Sequence, residues 1–339
     1  MSKEFALEEL QTGNKVEGAV PKVAIIVPAY RVTRQIERVL ADMPQWVWRI
    51  YVVDDACPEG SGDAAQRSVD SRVTVLRHPH NLGVGGAVVS GYRQALSDGA
   101  DVLVKMDGDG QMDASLLPQL LGPIFRGEAD YTKGNRFYDL TRLASMPRIR
   151  LFGNAVLSFM TKLSSGYWDL FDPTNGYTAL HAAVARQLPL DKLSRRYFFE
   201  TDLLFRLNTF RAVVVDVPMD ARYADESSNL RAWRVAPDFL LKHLRNGSKR
   251  VFYNYFLRDL SLASLQLVVG LFFLLIGGGL GLRYWYQSGI SGVPTLAGSV
   301  TLVAMLVIVG IQMLLGFLAY DIASVPKRPL HKLLAFKMP

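Results

Sequence analysis

Two stretches without a charged residue limit what this 339-residue chain can fold into: residues 261–282 and 296–320. Each is long enough to cross a hydrocarbon core as a helix, which takes about 20 apolar residues. Buried core helices are usually shorter and keep a polar side, so two membrane spans are expected. Charge placement agrees. His243, Arg245, Lys249, Arg250 and Arg258 precede the first stretch, and Lys327, Arg328, His331, Lys332 and Lys337 follow the second. The loop between them, 283–295, holds one basic residue, Arg283. Basic flanks favour the cytoplasmic side, which leaves the short loop facing outward. The polar segment 1–21 lacks a basic-then-apolar export pattern, so the part ahead of the spans and both termini are expected on the cytoplasmic face of the inner membrane.

Ahead of these stretches, apolar runs recur at 23–27, 50–53, 73–76, 102–106 and 213–217. Segments of helical length, such as 33–43 and 84–97, lie between the first four. That alternation predicts βαβ units and a mostly parallel sheet, an α/β fold. Further on, Ile149, Phe152, Val156, Phe159, Met160 and Leu163 share one helical face, with Arg148, Arg150 and Lys162 nearby. Such a helix lies either in a membrane interface or on a protein surface. Residues 237–260, rich in aromatics and bases just before the first span, are expected to be interfacial. The formal charge of +7 concentrates beside the spans and in 136–162, where anionic lipid is the simpler partner. No nucleic-acid role is expected, because no stacking motif is interleaved with the bases. A single cysteine, Cys57, excludes an internal disulfide and suits a reducing compartment.

The run 102–106 empties into Asp107-Gly108-Asp109-Gly110-Gln111. Two carboxylates one residue apart form a compact oxygen-ligand set at a strand's C-terminal edge, where open α/β sheets bind ligands. Mg²⁺ or Mn²⁺ takes such ligands together with substrate phosphates. A plain Asp/Gly turn is the bland alternative. The first run ends in Val27-Pro28-Ala29-Tyr30, where Pro28 is expected to stop the ladder and Tyr30 offers a ring to a nucleobase. The second ends in Asp54-Asp55, placing carboxylates where a ribose or base donor is read. Gly83, Gly85 and Gly86 open the helix that follows the third run, and such a start permits close approach of a phosphate. Their spacing is not that of the dinucleotide fingerprint.

The order of these motifs resembles family 2 glycosyltransferases with the GT-A fold, specifically polyprenyl-phosphate glycosyltransferases of the dolichol-phosphate mannose synthase type. The resemblance spans residues 23–249 and continues through Lys133-Gly134-Asn135-Arg136, Met146-Pro147 with Arg150 and Gly153-Asn154, and Asp172-Pro173-Thr174-Asn175-Gly176-Tyr177. Phe198-Phe199-Glu200-Thr201-Asp202 and Arg245-Asn246-Gly247-Ser248-Lys249 complete it. It implies a nucleotide-sugar site at Pro28, Ala29, Tyr30, Asp54, Asp55, Gly83, Asp107 and Gly108. It implies a divalent metal on Asp107, Asp109 and Gln111, acceptor-phosphate binding by Arg136 and Arg150, and catalytic roles for Asp109, Asp172 and Arg136. Glu200 and Asp202 are expected to face the sugar or the loop over it, and 223–227 to form a lid or a solvated loop. Two departures stand out: Arg31-Val32 replaces the family's Asn-Glu, and Ala56-Cys57 replaces its Gly-Ser. The polymerase signature Gln-x-x-Arg-Trp is not matched by Arg231-Ala232-Trp233-Arg234.

The expected organisation is a polar tail at 1–20, a GT-A catalytic domain at 21–235, an interfacial helix at 236–260, a two-helix anchor at 261–320 and a basic tail at 321–339. The expected activity is transfer of one sugar from a UDP- or GDP-linked donor to a polyprenyl phosphate such as undecaprenyl phosphate, with inversion. Another lipid or glycan acceptor is the close alternative, and a non-catalytic membrane scaffold the distant one. Gly277-Gly278-Gly279 with Gly281 would allow close helix packing, within one chain or in a homo-oligomer.

Overall fold

The computed structural model describes residues 20–138, 148–173, 175–219 and 232–335. The chain divides into two units, Met1–Gly247 with Pro326–Pro339, and Ser248–Val325.

The first unit is built on seven strands: β1 (Val23–Ala29), β2 (Arg49–Asp54), β3 (Val73–Arg77), β4 (Val102–Lys105), β5 (Tyr131–Asn135), β6 (Thr178–His181) and β7 (Val214–Pro218). They form one sheet in the order β3-β2-β1-β4-β6-β5-β7. Strand β6 runs antiparallel to β4 and β5, and the other pairs are parallel. Strand β1, VAIIVPA, is covered on both faces. A parallel strand buried this way reads as a continuous apolar run, which is why the sequence announces it. The flanking helices include α1 (Ile36–Ala41), α2 (Ser61–Gln66), α3 (Val84–Ser97) and α4 (Leu117–Phe125). On one face, Ile36 and Leu40 from α1 and Leu117, Leu121 and Ile124 from α4 pack against Ile25, Val52 and Val104.

The structure corrects the expected end of β1. The strand continues through Pro28, which pairs in register with Val53, to Ala29 opposite Asp54. The ladder to β4 has already ended at Ile26 opposite Lys105, so the missing N–H of proline interrupts no registered pair on that side. Strands β5 and β6 were not expected from the sequence. Both are short, and β5 buries Thr132, Lys133 and Asn135, so neither presents an apolar run.

Sequence order moves from β1 outward through β2 and β3, then crosses to β4 on the other side of β1. The switch point is therefore between β1 and β4, the position where open α/β sheets hold ligands. Because β6 is antiparallel, with Thr178 opposite Lys105, residues 175–177 arrive at the same edge.

After the sheet's first half come α5 (Arg148–Ser165), α6 (Ala182–Ala185), α7 (Phe199–Thr209) and α8 (Ala232–Phe252). Helix α5 leaves Phe152, Val156 and Phe159 of the expected apolar face exposed, and Leu151 beside them. Helix α8 turns His243 and Asn246 inward and leaves Leu240, Leu241 and Leu244 outward. The chain returns to this unit as α11 (Leu330–Ala335). Asp130, with its side chain wholly buried, accepts the N–H groups of Val213, Leu330 and His331 at 2.7–2.8 Å and pairs with His331 Nδ1 at 2.7 Å. Burial works against the Asp130 anion, but these donors hold its carboxyl below the usual carboxylate range.

The second unit contains α9 (Leu262–Ser291) and α10 (Ala297–Ala323), both long and apolar enough to cross a membrane. Few of their residues are buried by the chain itself. They meet through glycines: a Cβ on Gly270 would lie 3.0 Å from Gly310 O, and one on Gly310 3.1 Å from Gly270 O. Small residues let helix backbones approach this closely. Gly277 and Gly281 also face α10, whereas Gly278 and Gly279 meet open space. At the start of α9 the Ser264 hydroxyl accepts the Ser261 N–H at 3.1 Å. At the far end of α10, Asp321 accepts both Nη1 and Nη2 of Arg250 at 2.6 and 3.0 Å.

Candidate functional site

The tip of β4 is organised by a lysine the sequence reading did not assign. Lys105 is buried within the strand, and its Nζ lies 2.8 Å from Asp107 Oδ1, 3.1 Å from Glu200 Oε1 and 3.3 Å from Gly176 O. Burial opposes its charge, yet the two carboxylates raise its pKa above the ordinary lysine value. The ammonium thus joins β4, the first turn of α7 and the start of β6. The available signal was the charge itself, since a buried lysine needs a paired anion. Gly176 makes the cradle possible: an added Cβ would run into Lys105 Nζ and stand 2.7 Å from Asp107 Oδ2.

Beyond Lys105 the motif turns at the end of β4. Asp107 and Asp109 are half-buried, Gly110 adopts φ +77°, and Asp109 Oδ1 accepts the Gln111 N–H at 3.0 Å. Gly108 abuts β1, where a Cβ would lie 3.2 Å from Pro28 O. The motif and the end of β1 therefore touch at the switch point. Among the described residues, no group of three His, Cys, Asp or Glu side chains is placed to hold a metal ion. Two partly exposed carboxylates beside a cradle free of Cβ still fit a hard divalent ion whose remaining ligands come from phosphate oxygens.

The β1 and β2 ends supply a more closed surface. Tyr30 is exposed, and the Arg31 guanidinium sits 5.4 Å over its ring. Asp54 is buried, accepts the Cys57 N–H at 2.8 Å and pairs with Arg77 at 3.5 Å. Asp55 accepts the N–H groups of Leu82 and Gly83, both at 2.8 Å, and pairs with His78 Nδ1 at 2.7 Å. Both carboxylates hold the protein's own loops. The space a Cβ would take at Gly83 is filled by Arg195 O at 2.6 Å, and the Gly86 N–H donates to the same oxygen at 3.0 Å. The close approach these glycines permit is thus made by the chain itself, which removes the steric basis for a phosphate cradle at Gly83. The two departures from the family pattern are in contact: the Arg31 N–H donates to Cys57 Sγ at 3.1 Å, and both Arg31 and Ala56 have positive φ.

A second cluster forms where β5 meets β7. Arg136 donates from Nε and Nη2 to the two oxygens of buried Asp172 at 2.8 and 3.1 Å, and from its backbone N–H at 3.2 Å. Burial opposes the Asp172 anion, but the Arg136 bonds and the nearby Lys133 charge hold its carboxyl below the usual range. Lys133 Nζ donates to the Asp172 carbonyl. Burial lowers the Lys133 pKa to about 8 against the pull of Asp172 and Asp216. Arg136 and Asp172, expected as separate groups, are one bidentate ion pair, so Arg136 does not stand as a solitary cation.

Asp202 is buried against its own neighbours. It accepts the Ser194 N–H at 2.9 Å and the Asn246 side-chain amide at 3.0 Å, and pairs with Arg206 at 3.2 Å, tying α7 to α8. His243 joins the same packing through Ser164 Oγ at 2.8 Å and an edge-on contact with Phe198, and burial lowers its pKa to about 4. The side chain of Arg150, residues 146–147 and the segment 223–227 lie outside the described residues.

A family model described as Glycosyl transferase family 2 matches residues 24–188. An undecaprenyl-phosphate mannosyltransferase of Micrococcus luteus is 33% identical over 203 residues, covering 58% of this chain and 82% of that protein. A UDP-N-acetylglucosamine–dolichyl-phosphate N-acetylglucosaminyltransferase of Methanococcus voltae is 26% identical over 224 residues, covering 60% and 87% respectively. Among solved structures, one described as a mycobacterial protein aligns with a TM-score of 0.50 at 17% identity, covering 69% of this chain and 76% of that one. That last likeness bears on the fold alone.

Proposed function

The chain belongs to glycosyl transferase family 2, and from that premise we propose that it moves one sugar from a nucleotide donor to a polyprenyl phosphate at a membrane surface. It is a glycosyltransferase with a GT-A-like, mostly parallel sheet. The observation that carries the reading is the contact of Gly108 with Pro28 O at the β1/β4 switch point, with Asp107 and Asp109 opening beside it. A nucleoside diphosphate fits there, its base toward Tyr30 and the β2 end, its phosphates toward Asp107, Gly108 and Asp109. The polyprenyl-phosphate acceptor is supported by the names of the two relatives and by the two long apolar helices.

The chemistry asks little of a base. A phosphate monoester is already anionic, and its attack opposite the leaving diphosphate inverts the anomeric carbon. Transition-state stabilisation then rests on charge placed where the leaving group develops it. Asp107 and Asp109, with Gln111, would hold Mg²⁺ or Mn²⁺, which when bound supplies positive charge to the diphosphate. Lys105 keeps Asp107 and Glu200 in place, and the Arg136–Asp172 pair with Lys133 borders the acceptor side, with Arg150 as a further cation. Residues 21–235 form the catalytic domain in this reading, 236–260 an interfacial helix and 261–320 the anchor. The basic flanks support an active face toward the cytoplasm.

The test is transfer of radiolabelled sugar from UDP- and GDP-sugars to undecaprenyl phosphate by the full chain in lipid nanodiscs, with and without EDTA. Labelled lipid phosphate is expected, reduced at least 100-fold by chelation and restored by Mg²⁺ or Mn²⁺. Transfer to diacylglycerol or to a glycan, with none to any polyprenyl phosphate, would overturn the acceptor assignment.

A further inference from the structure

Asp216 lies in β7 opposite Lys133 of β5 and belongs to none of the motifs the sequence singled out. Its Oδ2 accepts the Phe171 backbone N–H at 2.8 Å and the Asn135 side-chain amide at 3.2 Å. Phe171 is the neighbour of Asp172, and Asn135 the neighbour of Arg136. One carboxylate oxygen therefore holds both chain segments that carry the ion pair, each one residue away from it. The other oxygen, Oδ1, is buried with no hydrogen-bond partner among the described residues. Leaving such an atom unsatisfied is costly, so packing alone does not account for an acid here; valine precedes and follows Asp216 in the strand.

We propose that Asp216 is a positioning residue for sugar transfer, its ionised carboxylate setting the separation and register of the Asn135–Arg136 and Phe171–Asp172 segments. The proposal rests on the reading that the Arg136–Asp172 pair borders the acceptor phosphate. Charge is what makes the oxygen an effective double acceptor, since hydrogen bonds to an ionised group are about twice as strong as neutral ones. The titratable and charged groups that act on it are Lys133 and Tyr131 on β5, Asp172 of the pair, and Lys162 on α5. Burial pushes its carboxyl up to about 6, with the Phe171 N–H and Lys133 pulling the other way. Protonation in mildly acid solution then weakens both bonds together and loosens the pair.

The test compares the full chain with Asp216→Asn in nanodiscs, using two readouts. The first needs no substrate: hydrogen exchange at the Phe171 amide is expected to speed up at least 10-fold in the variant, while amides of β1 and β4 stay unchanged. The second is transfer to undecaprenyl phosphate between pH 5 and pH 8. The variant is expected to lose at least 10-fold in kcat/KM for the acceptor, with the donor KM within twofold. The wild-type acid limb near pH 6 should be missing from its profile. Unchanged Phe171 exchange overturns the proposal, as does a wild-type pH profile, or an equal rise in donor and acceptor KM. If the wild type transfers nothing to lipid phosphate, the functional reading fails, and amide exchange alone then decides the positioning claim.

Discussion

The guanidinium of Arg136 grips the buried carboxylate of Asp172 through two parallel N–H groups at 2.8 and 3.1 Å. A lysine cannot reproduce that fork. Arg136→Lys is expected to lower transfer at least 10-fold, while Arg136→Ala, which strands a buried anion, costs in addition about 3 kcal/mol of stability. Initial rates and thermal melts of the two variants side by side check this. Equal rates for wild type and Arg136→Lys would remove the fork from the mechanism.

Lys105 neutralises two acids at once. Replacing it with methionine keeps the volume but leaves Asp107 and Glu200 without their shared cation. The expected loss is about 3–5 kcal/mol, read as a drop in melting temperature. Adding Glu200→Gln should recover part of it, because the two sites share a contact and their effects do not add. Additive losses would show that the ammonium does not bridge them.

Acid stability should carry the signature of buried histidines. His243 and His181 are held neutral by burial, each with a pKa of about 4 against the ordinary 6.5. The unfolded chain takes up those protons first, so stability falls as pH drops from 6.5 toward 4. Asp216, raised to about 6 from the ordinary 3.8, acts in the opposite direction between pH 6 and 3.8 and offsets part of the loss. His243→Phe should flatten the slope by up to about 1.4 kcal/mol per pH unit in that window. Melting curves at half-unit intervals measure it, and an unchanged slope would mean that His243 takes up its proton equally well in the folded state.

The docking of α11 depends on one carboxylate. Asp130→Ala removes the acceptor for the N–H groups of Val213, Leu330 and His331. Its expected result is rapid proteolysis within 326–335 and a melting temperature several degrees lower. Limited digestion of the two proteins under the same conditions compares them directly, and identical cleavage patterns would exclude the clamp.

What the sequence made legible follows from how each element is buried. Strands β1, β2 and β4 are central and parallel, so Val102-Leu103-Val104 reads as a strand without help, and the Asp107–Gln111 motif is placed with it. Strand β5 escaped because Lys133 and Asn135 are buried by charge and hydrogen bonding, which leaves no period-2 apolar trace. Asp54, Asp55 and Gly83 looked available for ligand because a sequence cannot reveal that Cys57, Leu82 and Arg195 approach them first. Arg136 and Asp172 stand 36 residues apart, and only the likeness to a known family brought both into view. Lys105 and Asp216 were in plain sight. Each interrupts an apolar run, and a charge in that position calls for a partner elsewhere in the fold.

The lysine in β4 has a consequence for the time between turnovers. Neighbouring carboxylates ordinarily repel one another, and loops built on them spread apart. Here a covalently tethered counter-charge stays behind. The tip of β4 and the first turn of α7 thus keep their shape through a charge the chain itself provides.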